Sequence, residues 1–111
     1  MLFRSQNLGP TEYLKSRLGA SSAAVSEWLQ HWIARGLSAF EAQLARDPAT
    51  GRFCHGDTPT LADVCLVPQC YAARRYGVDP AGYPFIAHIE AACQALPAFQ
   101  AALPERQPDA V

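Results

Sequence analysis

From Val25 to Leu44, apolar side chains recur at steps of three and four residues: Val25, Leu29, Trp32, Ile33, Leu37, Phe40 and Leu44. That is the period of an α-helix with one side in a core, and a stripe so long needs other apolar surfaces to cover it. The rest of the chain offers further helical patterns and no sustained two-residue alternation. The spacing therefore predicts an all-α bundle of about five helices and no sheet. Pro10 opens a first helix reaching Leu18, with Leu14 and Leu18 on one face and Gly19 as its stop. The long helix runs from about Ala23 to Ala45, with Ser21 or Ser22 as N-cap and Asp47-Pro48 as its end. Residues 47–59 are turn-rich, with Phe53 as an apolar anchor. A fourth helix opens at Pro84, with Phe85, Ile86, Ile89, Cys93 and Leu96 inward. A short last helix follows Pro97, around Phe99 and Leu103, before a polar tail.

The third helix, Leu61 to about Tyr76, carries the sharpest local signal. Thr60-Leu61-Ala62-Asp63 reads as a capping box, in which Thr60 accepts an N–H of the first turn and Asp63 reaches back to the Thr60 amide. The first half, Leu61 to Val67, is apolar almost all round and reads as the central buried helix. A carboxylate at the head of such a helix must be well paired, which assigns Thr60 and Asp63 to folding. Pro68 is expected to kink the helix or free a carbonyl.

Composition removes several functions. Half the residues are hydrophobic, 17% are charged, and the formal charge is −1, with nine scattered basic residues. This is one globular domain or a piece of one, with no footprint for nucleic acid or an anionic membrane surface. No apolar run approaches the ~18 residues of a membrane span, and the start is too short and weakly apolar for a signal peptide. A cytoplasmic location is expected. Cys54, Cys65, Cys70 and Cys93 form no C-x-x-C pair and read as small buried hydrophobes in a reducing compartment. His31, His55 and His88 share no ligand spacing, so no metal site is expected. Asp57 falls in a turn. No G-x-S-x-G, H-E-x-x-H or glycine-rich phosphate loop is present, and no residue is a credible nucleophile.

Arg74-Arg75 closes the third helix. A basic pair there suits the helix dipole; it also suits a carboxylate clamp, because guanidinium binds carboxylate as a fork. Spacing leaves both readings open.

The stretch from Phe53 to Gln69, FCHGDTPTLADVCLVPQ, closely resembles the zeta-class glutathione transferases. So do Ala73-Arg74-Arg75-Tyr76, Tyr83-Pro84, Leu96-Pro97-Ala98-Phe99 and the tail Pro104-Glu105-Arg106-Gln107-Pro108-Asp109. The likeness covers roughly residues 6–110. It implies that residues 1–111 are the C-terminal helical domain of a two-domain, homodimeric enzyme. The glutathione-binding thioredoxin-like domain is then missing, and Met1 to Ser5 form a non-native start. The implied reaction is glutathione-dependent cis–trans isomerisation of maleylacetoacetate or maleylpyruvate, from tyrosine or gentisate breakdown. A thiolate adds to the double bond, the single bond rotates, and elimination releases the fumaryl product. No catalytic residue is expected in this chain, which alone should be inactive. The resemblance matches Arg75 to a substrate-carboxylate arginine, with Arg74 as the lesser candidate. It matches Asn7, Leu8 and Gly9 to a segment near glutathione, with Gly9 standing where members acting on maleylpyruvate often carry an arginine. Two alternatives remain: a general glutathione transferase or α-halo acid dehalogenase, and a non-catalytic helical binding or oligomerisation module.

Overall fold

The computed structural model describes residues 8–108. Their apolar periodicities become five α-helices: α1 (Leu8–Ser16), α2 (Ser22–Arg46), α3 (Leu61–Arg75), α4 (Pro84–Gln94) and α5 (Pro97–Ala101). Short 3-10 turns, Pro80–Gly82 and Pro104–Arg106, flank α4 and α5. No strand forms among the described residues; a single bridge joins Thr50 and Gly56. Asn7 and the expected non-native start lie outside the described residues.

Each boundary has a chemical cause. Ser21 caps α2 by accepting the Ala24 amide at 3.1 Å, which relieves one orphan donor of the first turn. Gly19 has φ 65°, and the Ala20 amide bonds back to Leu14 O at 3.0 Å as α1 ends. At the end of α3, Gly77 has φ 86°, a conformation costly for a residue with Cβ. The Gly77 and Val78 amides return to Arg74 O and Ala73 O at 3.1 and 2.8 Å, which ends the helix just after Arg75. The head of α4 is capped from a distance: Glu41 on α2 accepts the Phe85 and Ile86 amides, each at 2.9 Å.

The core is a three-helix contact. Ile33 and Leu37 of α2 meet Leu66, Cys70 and Ala73 of α3 and Ile86, Ile89 and Cys93 of α4, all buried. Phe53 anchors the loop before α3 at 2% exposure, as its position predicts. The molecule is flat: its extents are 47 × 37 × 20 Å and its radius of gyration is 15.3 Å. A compact domain of this length has a radius of about 13 Å.

Several inward assignments are corrected. Leu18 lies beyond the end of α1 and is 67% exposed, because the helix stops two residues earlier. Trp32 lies beside the α2 stripe and stays half-buried, its face covered by the Arg35 guanidinium 5.4 Å from the ring centroid. Phe85 is one residue off the Ile86–Ile89–Cys93 line and is exposed. The largest correction concerns α3. Its first half is apolar all round, yet only one side is buried; Leu61 and Val64 are 75% and 55% exposed, and Cys65 is exposed too. Pro68 does not interrupt α3. It is exposed, and the helix continues through it, since a proline on the outer side frees a carbonyl that solvent can satisfy.

The capping box is in place, and it does more than cap. Asp63 is fully buried. Its carboxylate accepts the Thr60 amide at 2.8 Å, the Thr60 hydroxyl at 3.2 Å and the Cys54 amide at 2.9 Å. Burial alone would push the carboxyl pKa up; the Cys54 and Thr60 donors outweigh it and hold the group below its ordinary 3.8. A carboxyl depressed on folding stabilises the native state above its unfolded pKa and loses that contribution as pH falls through the folded value. We therefore expect Asp63→Ala to cost about 3 kcal/mol at pH 7, lowering the thermal midpoint by about 15 °C. Asp63→Asn should flatten the fall in stability below pH ~4. Thermal melts across pH 2–7 check both.

Candidate functional site

The exposed side of α3 is itself ordered by helical spacing. Leu61, Val64, Pro68, Tyr71 and Arg75 follow one another at steps of three and four and share a face. Four of these are apolar or aromatic, and the last is a cation. Beside this face lies an open cleft of about 270 Å³. Val64, Val67, Pro68 and Tyr71 form its α3 wall; Gln94, Phe99 and the segment Ala102–Pro104 form the other. The Leu96-Pro97 turn sets this second wall, because Pro97 starts α5 and Phe99 folds back against the core.

Arg75 stands one turn beyond Tyr71 and is exposed. Among the described residues the only ion pair is Arg74 with Glu90, so the Arg75 charge is not committed to an internal carboxylate. The neighbouring Glu105 carboxylate raises the Tyr71 pKa, with the Arg75 charge acting against it. A cation on the helical face that walls an apolar cleft suits an organic acid, with carboxylate on the guanidinium and carbon chain along the wall.

Arg74 has the opposite fate. Its guanidinium forks onto Glu90, Nη1 to Oε2 at 2.7 Å and Nη2 to Oε1 closer still. The Glu90 side chain is 6% exposed and that of Arg74 49%. The hydrogen bond to Glu90 raises the guanidinium pKa further, so the charge is permanent. The pair pins the end of α3 to α4, and the fork a substrate carboxylate would need is filled. Glu90 was not singled out from the sequence, although a signal existed. It shares the helical line of Ile86 and Cys93, and a carboxylate on a buried line requires a cation.

The described residues include no activated nucleophile. Burial pushes the Cys70 thiol up to about 12 and the Cys93 thiol to about 11. Burial and the Asp63 carboxylate push Cys54 higher still. All three remain protonated thiols at neutral pH. Cys65 departs from the sequence expectation and is exposed. His31, His55 and His88 are all exposed, and no three His, Cys, Asp or Glu residues among those described could hold a metal ion. Asp57 sits in its turn, accepting the Arg52 amide at 3.3 Å. Of the segment matched to glutathione, Asn7 is outside the described residues. Leu8 is 79% exposed, and a Cβ on Gly9 would meet open space. They begin α1, which packs on α2.

Two outcomes follow. Alkylation of the native chain with iodoacetamide should modify Cys65 alone, with Cys54, Cys70 and Cys93 reacting only after denaturation, as peptide mass mapping would read. Arg74→Met should cost about 2 kcal/mol, because it strands a buried carboxylate even after allowing for the solvent around Arg74. The double change Arg74→Met with Glu90→Leu should recover most of that loss in urea melts.

Residues 22–103 match the family model of the glutathione S-transferase C-terminal domain. The chain is 52% identical to the maleylpyruvate isomerase of a Ralstonia species over 98 residues, which are 88% of this chain and 46% of that protein. It superposes with a TM-score of 0.88 on a holo maleyl pyruvate isomerase, a bacterial zeta-class glutathione S-transferase. That alignment shares 50% identity over 95% of this chain and 50% of the other. A maleylacetoacetate isomerase from Anaeromyxobacter dehalogenans, with dicarboxyethyl glutathione and citrate in its active site, gives a TM-score of 0.85 and 46% identity. There 96% of this chain and 46% of that one are covered. The chain thus spans about half the length of the curated relatives it matches. A buried capping-box aspartate, a helical face ending in an uncommitted arginine and these matches agree: the chain belongs to the glutathione S-transferase family, as a C-terminal helical domain of the zeta class.

Proposed function

We propose that this chain is the substrate-side domain of a glutathione-dependent cis–trans isomerase acting on maleylacetoacetate or maleylpyruvate. The observation that carries the reading is Arg75. It is exposed, free of any ion pair among the described residues, and stands on the same α3 face as the cleft wall. Two relatives bearing those isomerase names are 52% and 50% identical to the chain. In this reading Arg75 holds a carboxylate of the substrate, and the apolar wall of Val64, Pro68 and Tyr71 keeps water from the unsaturated chain. Arg74 positions α3 through Glu90 and does not touch the substrate. Glutathione, when bound, supplies the thiol nucleophile whose reversible addition to the double bond lets it rotate. Leu8 and Gly9, exposed and with open space about Gly9, fit a surface that glutathione or its binding domain approaches. Asn7 belongs to the same proposed segment.

The proposal carries two partners. One is a thioredoxin-like domain that binds glutathione, packed against the exposed face of α3. The other is a second copy of the whole protein, giving a homodimer. No helix among the described residues is long and apolar enough to cross a membrane, and a cytoplasmic location belongs to the same reading.

The test is turnover of maleylacetoacetate and maleylpyruvate with glutathione. This chain alone should be inactive, whereas the protein carrying it beside a glutathione-binding domain should isomerise one or both. In that protein Arg75→Ala should lower kcat/KM about 100-fold, the scale of a charge-assisted hydrogen-bonded contact. Arg75→Lys should recover part of it. Full activity in Arg75→Ala, or conjugate formation in place of isomerisation, would refute the assignment.

A further inference from the structure

Resting on the reading of Arg75 as the substrate-carboxylate cation, we propose that Gln30, on the exposed side of α2, is a positioning residue that sets where Arg75 stands. It acts by closing the end of α3 from a different helix than Glu90 does.

The last carbonyls of a helix have no partner within it, and an end left open frays. Arg75 is the last residue of α3, so its backbone is only as fixed as that end. Both of its neighbours in sequence are held by other helices. Arg74, before it, forks onto Glu90 of α4. After it, the Tyr76 carbonyl accepts Gln30 Nε2 at 2.9 Å, across forty-six positions of chain. The next residue is fitted to this bond. Gly77 has φ 86°, which turns the chain away from the helix, and a Cβ there would stand 3.1 Å from Gln30 Nε2. A side chain at that position would both strain the turn and crowd the donor. The Gly77 and Val78 amides then return to Arg74 O and Ala73 O, and Tyr76 and Val78 pack on the core.

Gln30 is neutral and its amide donates to Tyr76, so it acts through the backbone of α3. A long, flexible arginine offers its fork at one place only if its Cα is fixed, and small misplacements of a binding group are enough to cost activity. Anchors on either side of Arg75, from α2 and from α4, suppress the local opening to which a helix end is otherwise prone. Isomerisation leaves the carboxylate unchanged, so Arg75 binds ground state and transition state alike. Its placement should therefore be felt in KM and not in kcat.

Gln30→Met keeps the length of the side chain and removes the donor. In this chain, amide exchange followed by NMR should show Gly77 and Val78 exchanging about fivefold faster, the scale of one neutral hydrogen bond. The core amides of Leu37 and Ile89 should exchange as before. In the protein that carries this domain beside a glutathione-binding one, Gln30→Met should raise KM for maleylacetoacetate or maleylpyruvate about fivefold and leave kcat near the parent value. The same change made in Arg75→Ala should add nothing, because no guanidinium is left to place; a merely structural role would lower activity in both backgrounds. The proposal is overturned if Gly77 and Val78 exchange as in the parent, if KM stays put in Gln30→Met, or if it moves equally with and without Arg75. Arg75→Ala separates the two readings. A raised KM there with no effect of Gln30→Met sinks only the role of Gln30. The parent's KM in Arg75→Ala, or no turnover of either acid by the parent, sinks the reading of Arg75 and this one with it.

Discussion

The carboxylate of Asp63 is the point from which the rest of this fold is hung. It is fully buried, and it joins the head of α3 to the loop before it through the Thr60 and Cys54 donors. A buried carboxylate without those donors would cost more than the helix could return. With them it fixes where α3 starts and holds the Cys54 backbone against it, beside the buried ring of Phe53. Once the start of α3 is fixed, helical geometry determines which of its residues face α4 and which face outward. The orientation of Arg75, fifteen residues along a helix that Gly77 ends, follows from that origin.

Two adjacent arginines divide two tasks by a rotation of about 100° per residue. Arg74 falls on the side of α4 and meets Glu90, which is buried and would be untenable alone. Arg75 falls on the outer face with Val64, Pro68 and Tyr71. The pair, buried on its Glu90 side, fixes the helix end, and the second charge stays outside any internal ion pair among the described residues. Exchanging Arg74 for a neutral residue therefore acts through stability, whereas exchanging Arg75 disturbs no internal ion pair and, in the proposed reading, acts through binding.

The flatness of the molecule has the same origin. Its core is filled by one side of α2, one side of α3 and one side of α4, so the outer face of α3 remains open with large apolar side chains upon it. A contiguous apolar face of this kind signals a further surface to be covered. In the proposed whole protein that surface and the cleft beside it meet the thiol-bearing domain, placing the proposed chemistry at a junction between domains, where ligand pockets commonly form.

Sequence alone determined the elements. The stripe of α2, the capping box, the proline at the head of α4, the glycine after α1 and the absence of strands were all legible, because each depends on residues within a few positions of one another. The motif of α3 and the tail likewise carried the family. Tertiary structure decided everything that depends on which face meets which neighbour. Leu61 and Val64 are exposed although their hydrophobicity marks them for a core, since burial is granted by a partner surface and not by the side chain. Arg74 and Arg75 are chemically identical; only the approach of Glu90 from α4 commits one and leaves the other. Tyr71 and Pro104, thirty-three positions apart, line one cleft only because the chain after α4 turns back beside α3, and no local pattern encodes an approach between distant segments.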